Sequence, residues 1–206
     1  MNAPFLAPKG MTAEEYFAWE ETQLDRHDYY NGEIFAMAGG TLAHNTVCLN
    51  AAMALKNLLK GSPCRVFMGD VRVLLSKDRH YSYPDVFVTC DARDTAQDSA
   101  NVVQFPSLII EVLSPSTSAY DVGLKFEAYR AMESVQEVLF VHIERRSADL
   151  YQRSAAPQWT LTPLGESGVL NLKSVNANLP VHDLFEGVAI SNESVVPMVA
   201  QTHGLP

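Results

Sequence analysis

The chain has 206 residues, of which 47% are apolar and 19% charged, which is typical of a globular protein. This length suits one domain with a full hydrophobic core and argues against two compact domains. Its formal net charge of −9 argues against a simple nucleic-acid binder, because a phosphate backbone prefers a basic surface. Two interpretations remain. Acidic residues cluster at a metal site where the metal restores positive potential for a phosphate, or the partner is not a nucleic acid.

Neither a signal peptide nor a membrane span is predicted. Residues 1–8 lack a basic region followed by a long apolar core, and no apolar run approaches the roughly 20 residues that cross a bilayer. The cysteines, Cys48, Cys64 and Cys90, form no Cys-x-x-Cys pair and are odd in number. This pattern argues against a disulfide framework or zinc knuckle and favours a reducing compartment. We therefore expect a cytoplasmic protein.

The N-terminal part is predicted to form a helix, a hairpin and a longer helix. Residues 12–15, Thr-Ala-Glu-Glu, match a helix capping box, and a short helix to about residue 21 follows. Asn31-Gly32 lies between β-prone residues and predicts a tight hairpin turn, because these two residue types adopt the positive φ angles that the turn needs. A glycine pair at 39–40 breaks the chain, and Thr41 can cap a helix that runs to about residue 60.

Strands dominate the remainder of the chain. They are predicted at residues 65–68, 71–75, 85–89, 108–113, 135–142, 148–153, 159–164 and 169–172. Residues 76–81 are polar and turn-like, and a helix is predicted from about residue 119 to 132. This order predicts an α/β fold with a mixed β-sheet flanked by helices, to which an N-terminal hairpin and C-terminal strands are added. The domain is expected at 12–190, between an N-terminal tail at 1–11 and a C-terminal tail at 191–206.

One carboxylate lies inside an apolar strand. Glu111 is embedded in Leu-Ile-Ile-Glu-Val-Leu, a run that suits a strand covered on both faces. An unpaired carboxylate in such a place is costly. We therefore expect Glu111 to take up a proton, to meet a cationic partner or to bind a metal.

Asp85 is a second candidate, at the start of the preceding strand. Pro84 cannot donate a ladder hydrogen bond, so it belongs at a strand's beginning or edge, which places Asp85 at an entrance to the fold. Side chains alternate along a strand, so Asp85 and Glu111 converge on one cation if their strands are neighbours. Mg²⁺ prefers a few carboxylate oxygens and keeps several waters, and it can polarise a phosphate and activate a bound water.

Lys125 provides the positive charge that two carboxylates lack. It is four residues after Asp121, so both lie on one face of the predicted helix. A lysine there could orient the attacking water or stabilise charge that builds on the phosphorus. The same two residues could instead be a surface ion pair worth only ~0.3–0.5 kcal/mol. Glu111, in turn, could face an open edge or pair with Arg72.

Three further residues are weaker candidates. His44, near a helix start, is more often a packed or capping residue than a ligand. Asp70 precedes a strand and is explained by a turn. Glu33 adjoins the hairpin turn, where an exposed carboxylate is ordinary.

The motifs together resemble the Uma-two family of bacterial restriction-endonuclease-like proteins. The resemblance extends from about residue 12 to 187. It rests on Tyr-Pro-Asp-Val at 83–86, Ile-Glu-Val-Leu-Ser-Pro-Ser-Thr at 110–117, Asp121, Lys125, Tyr129 and the strand at 138–141, with further agreement at 31–34, His44 and 70–73.

The resemblance implies the fold and chemistry of the PD-(D/E)xK nuclease superfamily. Asp85 is then the aspartate of the PD element and Glu111 the acid on the next core strand, both ligating Mg²⁺ or Mn²⁺. The superfamily lysine usually follows two residues after the acid, where this chain has Leu113. The resemblance therefore assigns the lysine's role to Lys125 on the following helix. His44 would come from the first core helix, near where many members have an extra acid.

The resemblance also implies supporting roles and a substrate. Asp70 and Glu33 would serve a second metal or an outer layer of the site, and Asp121 would support Lys125. The implied function is a metal-dependent endonuclease that hydrolyses phosphodiester bonds in DNA. Two alternatives stay open: a catalytically inactive module that binds nucleic acid or protein, and a hydrolase of small phosphoesters. A homodimer is expected, because nucleases of this superfamily often pair to cut both strands. The hairpin and the C-terminal strands are candidate interface elements.

Overall fold

The computed structural model describes residues 10–37, 40–76, 79–113, 121–154 and 158–189. The expected C-terminal tail, most of the N-terminal tail and residues 119–120 of the last predicted helix lie outside the described residues. The helices are α1 (Ala13–Glu20), α2 (Leu42–Leu58), α3 (Ala92–Thr95) and α4 (Phe126–Ala131). A π-helical turn, Asp121–Lys125, leads into α4, and 3₁₀ turns occur at Lys173–Val175 and Val181–Phe185.

The strands form two large sheets and one small one. A six-stranded sheet has the order β11-β10-β9-β8-β6-β3, with β8 and β9 parallel and the other pairs antiparallel. A five-stranded sheet has the order β2-β1-β5-β4-β7, and β12 pairs with β13. The strands are β1 (His27–Tyr30), β2 (Glu33–Ala36), β3 (Arg65–Met68), β4 (Arg72–Ser76), β5 (His80–Ser82), β6 (Val86–Thr89), β7 (Val102–Val103), β8 (Pro106–Leu113), β9 (Glu137–His142), β10 (Ser147–Arg153), β11 (Trp159–Leu164), β12 (Val169–Leu172) and β13 (Ala177–Pro180).

The six-stranded sheet is covered on both faces. On one face, α2 packs its buried stripe, including Val47, Ala51 and Leu55, against β6, β8 and β9. On the other face, α4 contributes Tyr129 to a second apolar cluster. Strand β8 is therefore buried nearly throughout, as its continuous apolar sequence predicts. The predicted mixed α/β fold, with a hairpin and C-terminal strands added to the core, is confirmed.

The predicted helix capping box and hairpin turn near the N-terminus are both confirmed. The capping box of α1 is present: the Thr12 hydroxyl accepts a hydrogen bond from Glu15 N, and Thr12 N donates to the Glu15 carboxylate. At the hairpin, Asn31 and Gly32 have φ angles of 48° and 86°, which is the left-handed conformation that their sequence predicts.

Tertiary contacts override the sequence signal at residues 80–82. This segment forms β5 rather than the predicted turn. Its central residue, Tyr81, packs among Tyr16, Tyr29 and Phe17, and burial of these rings stabilises the strand. The polar residues beside Tyr81 in the sequence instead predict a turn.

The expectation that the cysteines stay unpaired is wrong for two of them. Cys64 and Cys90 form a disulfide, and Cys48 is free and buried. The pairing follows from the register of β3 and β6, in which Arg65 lies opposite Thr89, so the residues flanking this pair face each other. The sequence separation of 26 residues shows none of this.

Among the described residues, no helix is long and apolar enough to cross a membrane.

Candidate active site

Two acidic residues lie where β6 begins and β8 ends. These strands are antiparallel neighbours, with Val86 opposite Ile110, and continuing that register by one residue sets Asp85 opposite Glu111. Cross-strand partners point to the same face of a sheet. The register therefore puts both residues at one end of the β6–β8 pair. Asp85 lies against His44 of α2, whereas Glu111 is contacted by Lys125 and Tyr129, so the convergence of the two carboxylates on one cation stays a prediction.

The Asp85 carboxylate is held by strand β8 on one side and by helix α2 on the other. Its Oδ2 atom accepts a hydrogen bond from Val112 N at 2.7 Å and lies 3.3 Å from His44 Nε2. The side chains of His44 and Asp85 are 20% and 15% exposed, so this end of the site is open to solvent. His44 is in the first turn of α2, where Thr41 Oγ1 accepts a hydrogen bond from its backbone N–H. The N-cap thus fixes the part of the helix that presents His44 to Asp85.

Glu111 has the cationic partner that its burial requires. Only 2% of the residue is exposed, and its Oε1 atom lies 3.2 Å from Lys125 Nζ and accepts a short hydrogen bond from the Tyr129 hydroxyl. Lys125 ends the π-helical turn and Tyr129 lies four residues later in α4, so the two groups reach the carboxylate from one helix face. Burial and the charge of Glu111 raise the pKa of Tyr129, which keeps the hydroxyl protonated as a donor.

Arg72, the alternative partner considered for Glu111, packs against aromatic rings. The Arg72 guanidinium lies over the Phe17 ring at 4.7 Å and near Tyr83 at 6.0 Å. A cation stacked on two aromatic rings is stabilised there by the ring quadrupoles.

Asp28 belongs to the site and was missed by the sequence reasoning. This residue of β1 is 2% exposed, and its Oδ2 atom lies 3.4 Å from Lys125 Nζ. Its Oδ1 atom accepts a hydrogen bond from Tyr83 N at 3.0 Å, two residues before Asp85. A signal existed, because Asp28, like Glu111, is a carboxylate inside a β-prone segment. The sequence of that segment predicts only a hairpin.

His80 and Cys48 are also close to the carboxylates. Burial is the main cause that lowers the pKa of His80 to about 4, with Lys125 also lowering it and Asp28 opposing, so the imidazole is neutral at pH 7. Its buried Nε2 atom has no hydrogen-bond partner among the described residues. Burial raises the pKa of the Cys48 thiol, and the negative charges of Asp85 and Glu111 raise it further.

The remaining predicted residues lie apart from the buried group. Asp70 has a side chain that is 83% exposed and pairs with Arg26 at 3.3 Å. Glu33 is exposed at the first residue of β2, opposite Tyr30. Asp121 begins the π-helical turn, but its side chain lies outside the described part of the chain, so its predicted support of Lys125 stays a prediction.

The charges of this site suit a divalent cation. Two carboxylates, those of Asp28 and Glu111, contact the Lys125 ammonium, and Asp85 lies at the same end of the β6–β8 pair, so carboxylates outnumber the one ammonium. Excess negative charge in a partly buried place is stabilised by a bound cation. Asp85 and Glu111 offer the oxygen ligands that Mg²⁺ and Mn²⁺ prefer.

Comparison with known proteins agrees with this architecture. Residues 13–185 match the model of the Uma2 family, described as "Putative restriction endonuclease". The chain is 36% identical over 188 residues to an uncharacterized protein of Synechocystis sp., slr1290, covering 91% of this chain and 96% of that protein. A second uncharacterized Synechocystis protein, sll1609, is 33% identical over 156 residues, covering 76% of this chain and 88% of that protein.

A solved structure has the same fold. It is described as "a putative nuclease belonging to DUF820" from Anabaena variabilis, and it superposes with a TM-score of 0.71 at 18% identity, covering 86% of this chain and 98% of that one. The fold is thus nuclease-like, and the chain belongs to the Uma2 family. The family resemblance inferred from the sequence motifs is confirmed.

Proposed function

We propose that this protein is a metal-dependent endonuclease that hydrolyses phosphodiester bonds in DNA. The observation that carries the proposal is the assembly of Asp85, Glu111 and Lys125 at one end of the β6–β8 pair, with Lys125 Nζ 3.2 Å from Glu111. The family description and the nuclease-like fold support it.

Asp85 and Glu111 would hold Mg²⁺ or Mn²⁺. A bound ion of this kind polarises a phosphate oxygen, activates a water and stabilises the leaving oxygen. Val112 N–H holds Asp85, and Tyr129 holds Glu111, so both carboxylates are oriented before any ligand arrives. Such preorganisation spares reorganisation during the reaction.

Lys125 is the candidate for electrostatic stabilisation of the scissile phosphate. Its ammonium lies between Asp28 and Glu111 at 3.4 and 3.2 Å, and only 5% of the residue is exposed. A lysine with two carboxylates as partners is held in place. It can then stabilise the negative charge that builds on the phosphoryl oxygens or orient the attacking water.

A polymeric substrate suits the open end of the site better than a small phosphoester does. A cavity of about 720 Å³ is lined by residues of β4, the loop after β6 and the loop after α4, and none of Asp85, Glu111 and Lys125 lines it. His44 and Asp85 instead face solvent. Small ligands bind in concave pockets, whereas a strand of DNA can lie across a solvent-exposed edge.

Cleavage of plasmid and single-stranded DNA with Mg²⁺ or Mn²⁺ tests the proposal. We expect Glu111→Gln and Lys125→Met each to lower the cleavage rate by about 100-fold or more, the scale for removing one preorganised electrostatic group. Asp70→Asn is the matched control. It neutralises a carboxylate that lies on the surface, and it should retain the wild-type rate.

The variants must be shown to fold, by circular dichroism and by urea unfolding. Cleavage that survives Glu111→Gln would refute the assignment. A folded wild type that binds DNA without cutting it with either metal would support the inactive binding module, and turnover of nucleotides alone would support the small-phosphoester hydrolase.

A homodimer is also part of this proposal. A cytoplasmic location stays a prediction, and the Cys64–Cys90 disulfide removes the cysteine pattern as an argument for it. Pairing through the β1–β2 hairpin or the C-terminal strands would place two sites to cut both strands. Sedimentation at micromolar concentration should show a dimer, and a monomer throughout that range would contradict it.

A further inference from the structure

A second group of metal-ligating atoms adjoins the carboxylate pair on the side of α2. His44 and Cys48 are four residues apart in the first two turns of the helix, so their side chains lie one above the other. Asp85 completes the group from the start of β6. One ligand atom from each of the three lies within 4.8 Å of the other two.

The contacts show that these three side chains already face one another. His44 Nε2 is 3.3 Å from Asp85 Oδ2, and His44 Nδ1 is 3.6 Å from Cys48 Sγ. Cys48 is buried at 4% exposure, whereas the side chains of His44 and Asp85 are 20% and 15% exposed. An ion from solvent would therefore meet Asp85 and His44 first and the sulfur last.

The donor set selects the class of metal. One nitrogen, one sulfur and one carboxylate oxygen suit Zn²⁺ and its transition-metal neighbours, whereas Mg²⁺ avoids sulfur. Zinc bonds of about 2.0–2.3 Å in a tetrahedron place ligand atoms roughly 3.3–3.8 Å apart. The separations here, at most 4.8 Å, require closure by about 1 Å. Three protein ligands would leave a fourth position for water.

We propose that His44, Cys48 and Asp85 form a binding site for a thiophilic divalent ion of the Zn²⁺ class. Binding deprotonates the Cys48 thiol, and the proton passes to solvent. His44 and Cys48 are separated by four residues on one helix face, which is the spacing that zinc-binding helices use to present two ligands. This site shares Asp85 with the proposed Mg²⁺ ligands, so a Zn²⁺-class ion here competes with an ion held by Asp85 and Glu111.

Titration with Co²⁺, a spectroscopic substitute for Zn²⁺, tests the site without any measurement of hydrolysis. The full chain, kept free of thiol reductants so that the Cys64–Cys90 disulfide persists, should take up one Co²⁺ with a thiolate-to-cobalt charge-transfer band. Cys48→Ser should abolish that band and weaken Co²⁺ affinity by about tenfold or more. Zn²⁺ should displace the Co²⁺ and remove the band.

Two variants serve as controls. His142→Gln removes a histidine that pairs with Asp149 at 2.8 Å on β9 and β10, and it should leave the band unchanged. Glu111→Gln, which stops the proposed hydrolysis, should also retain the band, so failure of the nuclease proposal and failure of this one are distinguishable.

The proposal fails on either of two results. A folded wild type without a thiolate band at millimolar Co²⁺ would refute it, as would a band that survives Cys48→Ser. His44→Gln leaves the buried sulfur in its packing and should still lose the band. The proposal therefore stays testable if Cys48→Ser does not fold.

Discussion

Replacing Lys125 by Met is the most direct test of how the buried charges are balanced. The ammonium contacts Glu111 at 3.2 Å and Asp28 at 3.4 Å, and all three residues are at most 5% exposed. Methionine keeps most of the side chain's volume and apolar stem, so the change removes mainly the charge. Two carboxylates then remain buried without their shared cation.

The expected loss of stability is large for one residue. At about 3.3 Å and an effective dielectric constant of about 20, each contact is worth roughly 5 kcal/mol of Coulomb energy before the cost of desolvation. Removing one partner of a buried ion pair costs about 3–5 kcal/mol in practice. For a chain of this size that corresponds to a fall in Tm of roughly 6–20 °C.

Urea unfolding at pH 7, without divalent ions, measures the effect. Lys56→Met, an exposed lysine of α2, is the matched control and should change the free energy of unfolding by less than about 0.5 kcal/mol. The double variant with Glu111→Gln should lose less than the two single losses added together, with a coupling energy of about 1–3 kcal/mol. A Lys125→Met protein within about 1 kcal/mol of wild type would refute the reasoning, because the carboxylates would then not depend on this lysine.

Two further predictions concern acid and the disulfide. Burial lowers the pKa of His80 from 6.5 to about 4, so the unfolded chain binds a proton in that interval and the folded chain does not. Stability should therefore be complete above about pH 6.5 and fall as the pH drops towards 4, by up to about 3 kcal/mol, and urea unfolding of His80→Gln should show a flatter dependence. Reducing the Cys64–Cys90 disulfide, which closes a loop across 26 residues, should lower the free energy of unfolding by about 3.5 kcal/mol in the chain-entropy estimate. The Cys64→Ser/Cys90→Ser protein should match the reduced wild type and be insensitive to reductant; equal stability of the oxidised and reduced wild type would contradict this.

The central residues of the site were predictable because their signals are local. Glu111 is conspicuous in an apolar strand, and Pro84 marks Asp85 as a strand entrance, so the sequence alone selects both residues as candidates. Pairing of β6 with β8 then puts them at one end of these two strands. Lys125 required the family resemblance. Helical spacing places it beside Asp121, but nothing in the spacing says that it turns towards Glu111.

The rest depends on contacts between elements that are distant in the sequence. Asp28 reaches Lys125 only because the five-stranded sheet docks beside the end of β8. Cys48 joins His44 and Asp85 only because α2 lies over β6. Strand β5 and the Cys64–Cys90 bond likewise follow from ring packing and strand register, which hydrophobic periodicity does not report.

The two contacts of Asp28 link the N-terminal hairpin to the candidate active site. One oxygen holds Lys125 and the other holds the backbone two residues before Asp85, so β1 braces two candidate site residues that belong to different elements. A shortened protein that began at α2 would retain Asp85 and Glu111 in its sequence yet lose Asp28 and this brace. The hairpin, added to the core in topology, is therefore part of the smallest piece of the chain in which the site can be complete.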